Sequence, residues 1–285
     1  MKKLIALVCL IFMGFQAFSQ FENFSKKSDL ESFKDTKLLV VLYPDSAYTY
    51  SIGAAIERYW TFTAFEFIED TATQRYRKGN YAFLVFSKSK GSKNKTRIAS
   101  SEEDFNGLAI IRKYSRRIIP ENLLAYAYCN NSIDTGDWAT EMTRAVQLLN
   151  NYFNNAVQVQ SNGDLNPKKM MKEYPGDKSV MLDKKLLIES KQLEINGKED
   201  AVTLFDGDLE EVEIGEIQKA IKWQDENFLY YYYSKDEKNC NKLVVNAQNS
   251  ELMYFDRDDP NKCKCNAKDL KALKEIKDKA SKGRK

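Results

Sequence analysis

Apolar residues along this chain follow two periodicities, and the pattern they make occurs twice. Leu38 to Leu42 is a short apolar run, after which Ile52, Ala55, Ile56 and Tyr59 recur at helical spacing. Phe62 to Ile68 reads as a second strand. Asp70 to Lys78 reads as a short amphipathic helix, capped by Asp70 or Thr71 and ended by Gly79. Tyr81–Phe86, Leu108–Arg112 and Leu123–Tyr128 are further strands. A long helix is predicted from Trp138 to about Val157, with Met142, Ala145, Val146, Leu149 and Phe153 on one face and Thr135 or Asp134 as its cap. Strands recur at Leu186–Ser190, Glu211–Ile214, Phe228–Tyr233, Lys242–Asn246 and Leu252–Phe255. A last helix runs from Lys268 to about Lys279, capped by Asn266.

The recurrence has a constant offset. Asn80, Ser87 and Lys88 match Asn227, Ser234 and Lys235 in register, 147 residues apart, with aromatic residues in the same slots between them. Ile68 pairs with Ile214 at an offset of 146, and Lys37–Val40 with Lys185–Ile188 at 148. This predicts an internal duplication and an α/β fold (an α+β mixture) of two similar tandem modules, each a mixed β-sheet with packed helices. The modules are placed at 36–157 and 184–279. Asn162-Gly163-Asp164, Pro167 and Pro175-Gly176-Asp177 break the chain into a linker at 158–183. Residues 20–35 are expected to be a flexible N-terminus and 280–285 a basic tail.

Residues 1–19 change the setting. Lys2 and Lys3, the apolar stretch Leu4–Phe15, and Ala17-Phe18-Ser19 read as a bacterial secretory signal peptide cleaved near Ser19/Gln20. The chain is expected in the periplasm or outside the cell, with no transmembrane segment after cleavage. Removal leaves 42 basic and 41 acidic residues, so bulk charge gives no reason to expect nucleic acid as a partner. In such a compartment the cysteines Cys129, Cys240, Cys263 and Cys265 are disulfide candidates. Cys240 precedes one strand of a predicted hairpin and Cys263 follows the other, so Cys240 is expected beside Cys263 or Cys265. Cys129 is left free or bridging the modules.

The chemistry is mostly negative. The chain has no histidine, which removes Ser-His-Asp and Cys-His catalysis and His-bearing metal sites. No Gly-x-Gly pair supports a dinucleotide or phosphate loop. Asp206-Gly207-Asp208 with Glu210 and Glu211, and Asp256, Asp258 and Asp259, resemble fragments of calcium loops but lack a full ligand series. No metal and no cofactor are expected.

Charge is segregated. Residues 75–117 carry 12 basic and three acidic residues, densest at Lys88, Lys90, Lys93, Lys95 and Arg97, the candidate binding residues. Residues 194–216 carry nine acids and one lysine. The two runs could attract each other or present faces to a protein or an anionic envelope polymer.

Tyr59-Trp60-Thr61-Phe62-Thr63-Ala64-Phe65-Glu66-Phe67-Ile68, followed by Asn80-Tyr81-Ala82-Phe83-Leu84, resembles a segment of uncharacterised exported bacterial proteins. The resemblance implies an accessory protein of the cell envelope and no activity. The sequence thus favours an exported, non-enzymatic accessory or binding protein. The alternative is a carboxylate-based hydrolase acting in a cleft between the modules.

Overall fold

The computed structural model describes residues 27–44, 46–76, 78–88, 99–101, 107–115, 117–118, 122–129, 137–161, 177–195, 198–235 and 240–283. The signal-peptide segment, the loop positions 90–97 and the cap positions Asp134 and Thr135 lie outside them. The first module runs α1 (Lys27–Lys34), β1 (Lys37–Leu42), α2 (Ser46–Tyr59), β2 (Phe65–Glu69), a 3-10 segment (Asp70–Tyr76), β3 (Tyr81–Lys88), β4 (Ala99–Ser101), β5 (Gly107–Ile111), β6 (Arg117–Ile118), β7 (Leu123–Tyr128) and α3 (Trp138–Ser161). After a 3-10 segment (Lys178–Leu182), the second runs β8 (Lys185–Glu189), α4 (Lys198–Phe205), β9 (Leu209–Val212), α5 (Ile214–Trp223), β10 (Phe228–Lys235), β11 (Cys240–Asn246), β12 (Leu252–Asp258) and α6 (Ala267–Gly283).

The duplication is visible in the sheets. β2, β1 and β3 lie side by side and parallel, and β5 and β7 extend them antiparallel. β9, β8, β10, β11 and β12 repeat that order and those directions. β4 and β6 are short additions to the first sheet. Lys37 lies opposite Tyr81 and Lys185 opposite Phe228, so the offset survives in the strand register.

One matched block moves. Val41 faces Ile68, and the equivalent Glu189 faces Val212, so Val212 is the counterpart of Ile68. Ile214 instead opens α5. The connection is remodelled: from the start of β1 to the start of β2 is 28 residues, and from the start of β8 to the start of β9 is 24. α4 has eight residues where α2 has fourteen, and the segment before it is longer.

Other elements also depart from expectation. α1 forms within 20–35 because Leu30 and Phe33, one helical turn apart, bury their side chains, with Phe33 against Phe62 and Phe153. α6 continues through Gly283 into the predicted tail. Its Asn266 cap is as expected: Oδ1 accepts from the Lys268 and Asp269 amides at 2.9 and 3.3 Å. Trp60 and Trp138 are packed anchors, but Trp223 is 79% exposed.

α3 lies between the two sheets. Trp138 packs on Phe86 of the first, with ring centroids 5.1 Å apart. Thr140, Glu141, Arg144, Gln147 and Asn150, polar or charged residues of α3, are all buried. Arg144 Nη2 is shared among the Tyr128 carbonyl, Glu141 Oε2 at 2.8 Å and the Tyr232 hydroxyl at 3.0 Å. The guanidinium stands over the Tyr232 ring, 3.9 Å from its centroid. Burial opposes its charge, but Tyr232 and Glu141 outweigh burial and hold its pKa above the ordinary arginine value. Beside it, Ser250 donates to Gln147 Oε1 at 2.7 Å, Asn151 to the Asn249 carbonyl at 2.8 Å, and Arg58 to Gln224 Oε1 at 2.9 Å. The apolar cores stay separate: one cluster in the first module and one on each face of the second sheet.

Cys240 and Cys263 form a disulfide that closes the open ends of the β11–β12 hairpin, while Cys129 and Cys265 are buried free thiols. Among the described residues no helix is long and apolar enough to cross a membrane.

Glu141→Gln should cost about 3–5 kcal/mol, because it leaves a buried guanidinium without its counter-charge. In urea unfolding the two modules should then separate into distinct transitions, and the double variant Arg144→Met/Glu141→Leu should recover much of the loss. Cys263→Ser should lower stability by about 3 kcal/mol through the opened loop, read as a shifted unfolding midpoint that added reductant reproduces in the parent protein.

Candidate functional site

The first module carries a concavity of about 470 Å³ at the N-terminal end of β3. That volume lies within the range of small-molecule sites. Tyr76 ends the 3-10 segment, Tyr81 and Phe83 come from β3, and Arg112, Lys113 and Tyr114 follow β5. Ser32, Thr36 and Asn80 add polar atoms, and no carboxylate is among the described residues that line it.

Local sequence explains why these groups converge. Tyr81 and Phe83 are two apart on a strand, so they share a face. The Tyr76 ring meets Tyr81 edge-on at 5.3 Å, and Phe83 meets Tyr114 at 5.6 Å. Tyr76 is oriented from behind: its hydroxyl donates to Glu66 Oε1 at 2.9 Å, and Lys37 holds Oε2 at 3.2 Å. The Tyr76 bond and Lys37 keep the Glu66 carboxyl below its usual pKa, and that same bond raises the Tyr76 hydroxyl. Thr36 donates to the Ser32 carbonyl at 2.7 Å and meets the Asn80 side-chain amide at 3.1 Å. On the opposite wall, the amides of Arg112 and Lys113 donate to the Asn122 carbonyl and side-chain oxygen at 2.9 and 3.0 Å. That clamp fixes the turn from which both cations project.

The cavity owes its opening to unequal copies. The counterpart of Phe83 is Tyr230, which is packed under Ile217, Ala220 and Ile221 of α5. In the first module the seven-residue 3-10 segment stands where α5 stands in the second, and it leaves room beside Phe83.

The candidate binding residues sit elsewhere. Lys88 ends β3, about 23 Å along the strand from Tyr81 at roughly 3.3 Å per residue. Lys90, Lys93, Lys95 and Arg97 lie outside the described residues. What the basic run contributes to the cavity is Arg112 and Lys113. The aromatic members went unnoticed because they are scattered over 39 positions, from Tyr76 to Tyr114, and only the fold gathers them.

The remaining candidates are structurally engaged. Asp206 pairs with Lys274, Asp208 and Glu210 with Lys185, Asp256 with Lys268, and Asp258 with Lys242. The described residues hold no cluster of three or more metal-ligating side chains. Where the modules meet, the acid Glu141 is committed to Arg144. Cys129 and Cys265 are sealed, and burial pushes both thiols well above the ordinary cysteine pKa, which keeps them unreactive. Asp269 is likewise enclosed, bound by Lys242 at 2.8 Å and by the Tyr254 hydroxyl at 3.1 Å.

No protein-family model, curated protein or solved structure matches the chain.

Gly79 shapes the cavity wall. Its φ is +144°, and an added Cβ would fall 2.4 Å from the Tyr81 ring. Gly79→Ala should cost about 1–3 kcal/mol in strain and turn the Tyr81 ring, seen as a lower unfolding midpoint and shifted Tyr81 ring resonances in NMR.

Proposed function

We propose that this is an exported, non-enzymatic binding protein of the bacterial cell envelope, and that its first-module cavity takes a unit of an anionic, sugar-bearing polymer. One observation carries this reading: aromatic rings and two cations surround about 470 Å³, with no carboxylate among the described residues that line it. Tyr76, Tyr81 and Tyr114 offer faces and edges to a sugar ring, over a floor that includes the buried Phe83. Arg112 and Lys113 suit a carboxylate or phosphate, Arg112 as a planar fork and Lys113 as a point charge. Export is supported by the signal-like residues 1–19 and by the Cys240–Cys263 disulfide, which persists in oxidising compartments.

Isothermal titration with oligogalacturonate as the anionic probe should give saturable binding that weakens as salt rises, because part of the attraction is screened charge. Maltohexaose, its neutral comparison, should bind far more weakly. Arg112→Gln/Lys113→Gln should lower affinity at least tenfold and leave the unfolding midpoint in place. Equal affinity for the two sugars, or an unaffected double variant, sinks the proposal.

A further inference from the structure

A second concavity lies on the other module and has the opposite electrostatic character. It measures about 360 Å³ and is lined by Val212, Trp223 and Phe228, with Glu210, Glu216 and Asp225 at its rim. Trp223 is the unusual member. α5 buries Ile217, Ala220 and Ile221, yet its last residue keeps 79% of its surface exposed. Its indole offers a large amphipathic surface beside the apolar floor of Val212 and Phe228.

The backbone beneath Trp223 is held firmly. Gln224 adopts a left-handed conformation, φ 54°, and its amide closes α5 by bonding back to the Ala220 and Ile221 carbonyls. Its side chain accepts from Arg58 at 2.9 Å and donates to the Gln248 carbonyl at 3.0 Å. The indole therefore projects from a cap tied to both modules, and little conformational entropy remains to be lost when something stacks on it.

The charge around it selects the occupant. Lys219 faces three carboxylates in the lining and is tied to Glu216 at 2.6 Å, and Glu210 is held by Lys185 at 3.0 Å. Asp225 Oδ1 takes the amide and side chain of Asn227, and Asp225 forms no ion pair among the described residues. The rim belongs to the stretch 194–216, with nine acids and one lysine, and its continuation to Asp225.

We propose that this groove docks a lysine- or arginine-bearing peptide segment of a partner protein. The partner's cation stacks on the Trp223 face, the best of the aromatic surfaces for a cation, with its charge directed to Asp225 and Glu216. Its aliphatic stem lies over Phe228 and Val212. The site is distinct from the first-module cavity in location, charge and ligand.

Trp60 and Trp138 are 5% and 9% exposed, so acrylamide quenching of the full chain reports chiefly on Trp223. Titration with hexa-arginine and hexa-lysine should protect the fluorescence from quenching in a saturable way. Affinity should fall at least fivefold between 50 and 300 mM sodium chloride, an effect of screening. Glu216→Gln should weaken binding several-fold, Asp225→Asn/Glu216→Gln at least tenfold, and Trp223→Ala, followed by calorimetry, should abolish it. Glu216 is exposed on its helix, so its variant remains informative if Asp225→Asn disturbs the turn. Absence of protection by either peptide overturns the proposal, as does unchanged affinity in Glu216→Gln and the double variant alike. Protection by maltohexaose instead assigns the groove to sugars and overturns it. Sedimentation showing that Trp223 is covered by a second copy of the chain does so as well.

Discussion

Arg144 enters the space between two sheets with its charge intact, and the placement of the modules follows from how that charge is met. An unpaired guanidinium in such surroundings would be prohibitively costly. Here it meets the Tyr128 carbonyl from the end of β7, Glu141 one turn back on α3, and both the hydroxyl and ring face of Tyr232 from β10. Each partner comes from a different element, and Tyr232 belongs to the other module. Of the three, Tyr232 alone reaches the charge from the second module, and its hydroxyl and ring complete the enclosure. Directional bonds flank it at Gln147–Ser250 and Asn151–Asn249. The two apolar clusters do not merge across the junction, where Tyr128 of one and Tyr232 of the other meet through directional contacts.

That junction gives the duplicated halves different surroundings, and the difference makes the sites. In the second module α5 covers Tyr230, and α3 of the first module reaches Tyr232 on the same strand face. The first module has only a short 3-10 segment at the place of α5. The face that α5 covers in one copy borders a concavity in the other, with the buried Phe83 at its floor. Meanwhile α5, needed to cover its own sheet, carries Trp223 out at its end. Both concavities trace to one divergence: the connection between the second and third strands of the repeat is a complete helix in one copy and not in the other.

Strand content and repeat order were legible because apolar runs of five to eight residues survive duplication, and Asn80-to-Lys88 against Asn227-to-Lys235 kept even its polar ends. The hairpin staple was legible for the same reason: once the β11–β12 pair is seen, Cys240 and Cys263 flank its open end. Ile214 was misplaced because its apolar character suits a strand end and a helix start equally well. α5 was missed since its apolar spacing is brief and surrounded by acids. The junction was hidden because Gln, Asn and Thr on a helix suggest solvent. A signal was nevertheless present: of the 24 residues of α3 only Glu141 and Arg144 carry charge, where a solvated face of that length would hold several lysines and glutamates.

The segregated charge has a different place in the molecule from the one its sequence suggests. Acids of the 194–216 run pair, among the described residues, with Lys185, Lys219 and Lys274, all within the second module. Exposed pairs of this kind contribute little each, and salt screens their longer-range attraction within about 8 Å at physiological ionic strength. They are therefore poorly suited to set the relation of two modules. The enclosed Arg144, out of reach of salt, bonds and stacks on Tyr232 across the junction, and that contact is well suited to it. With the junction held by buried charge, surface charge is left to act over the range where it is effective: drawing an oppositely charged ligand toward a site whose rings and pocket walls then determine whether it stays.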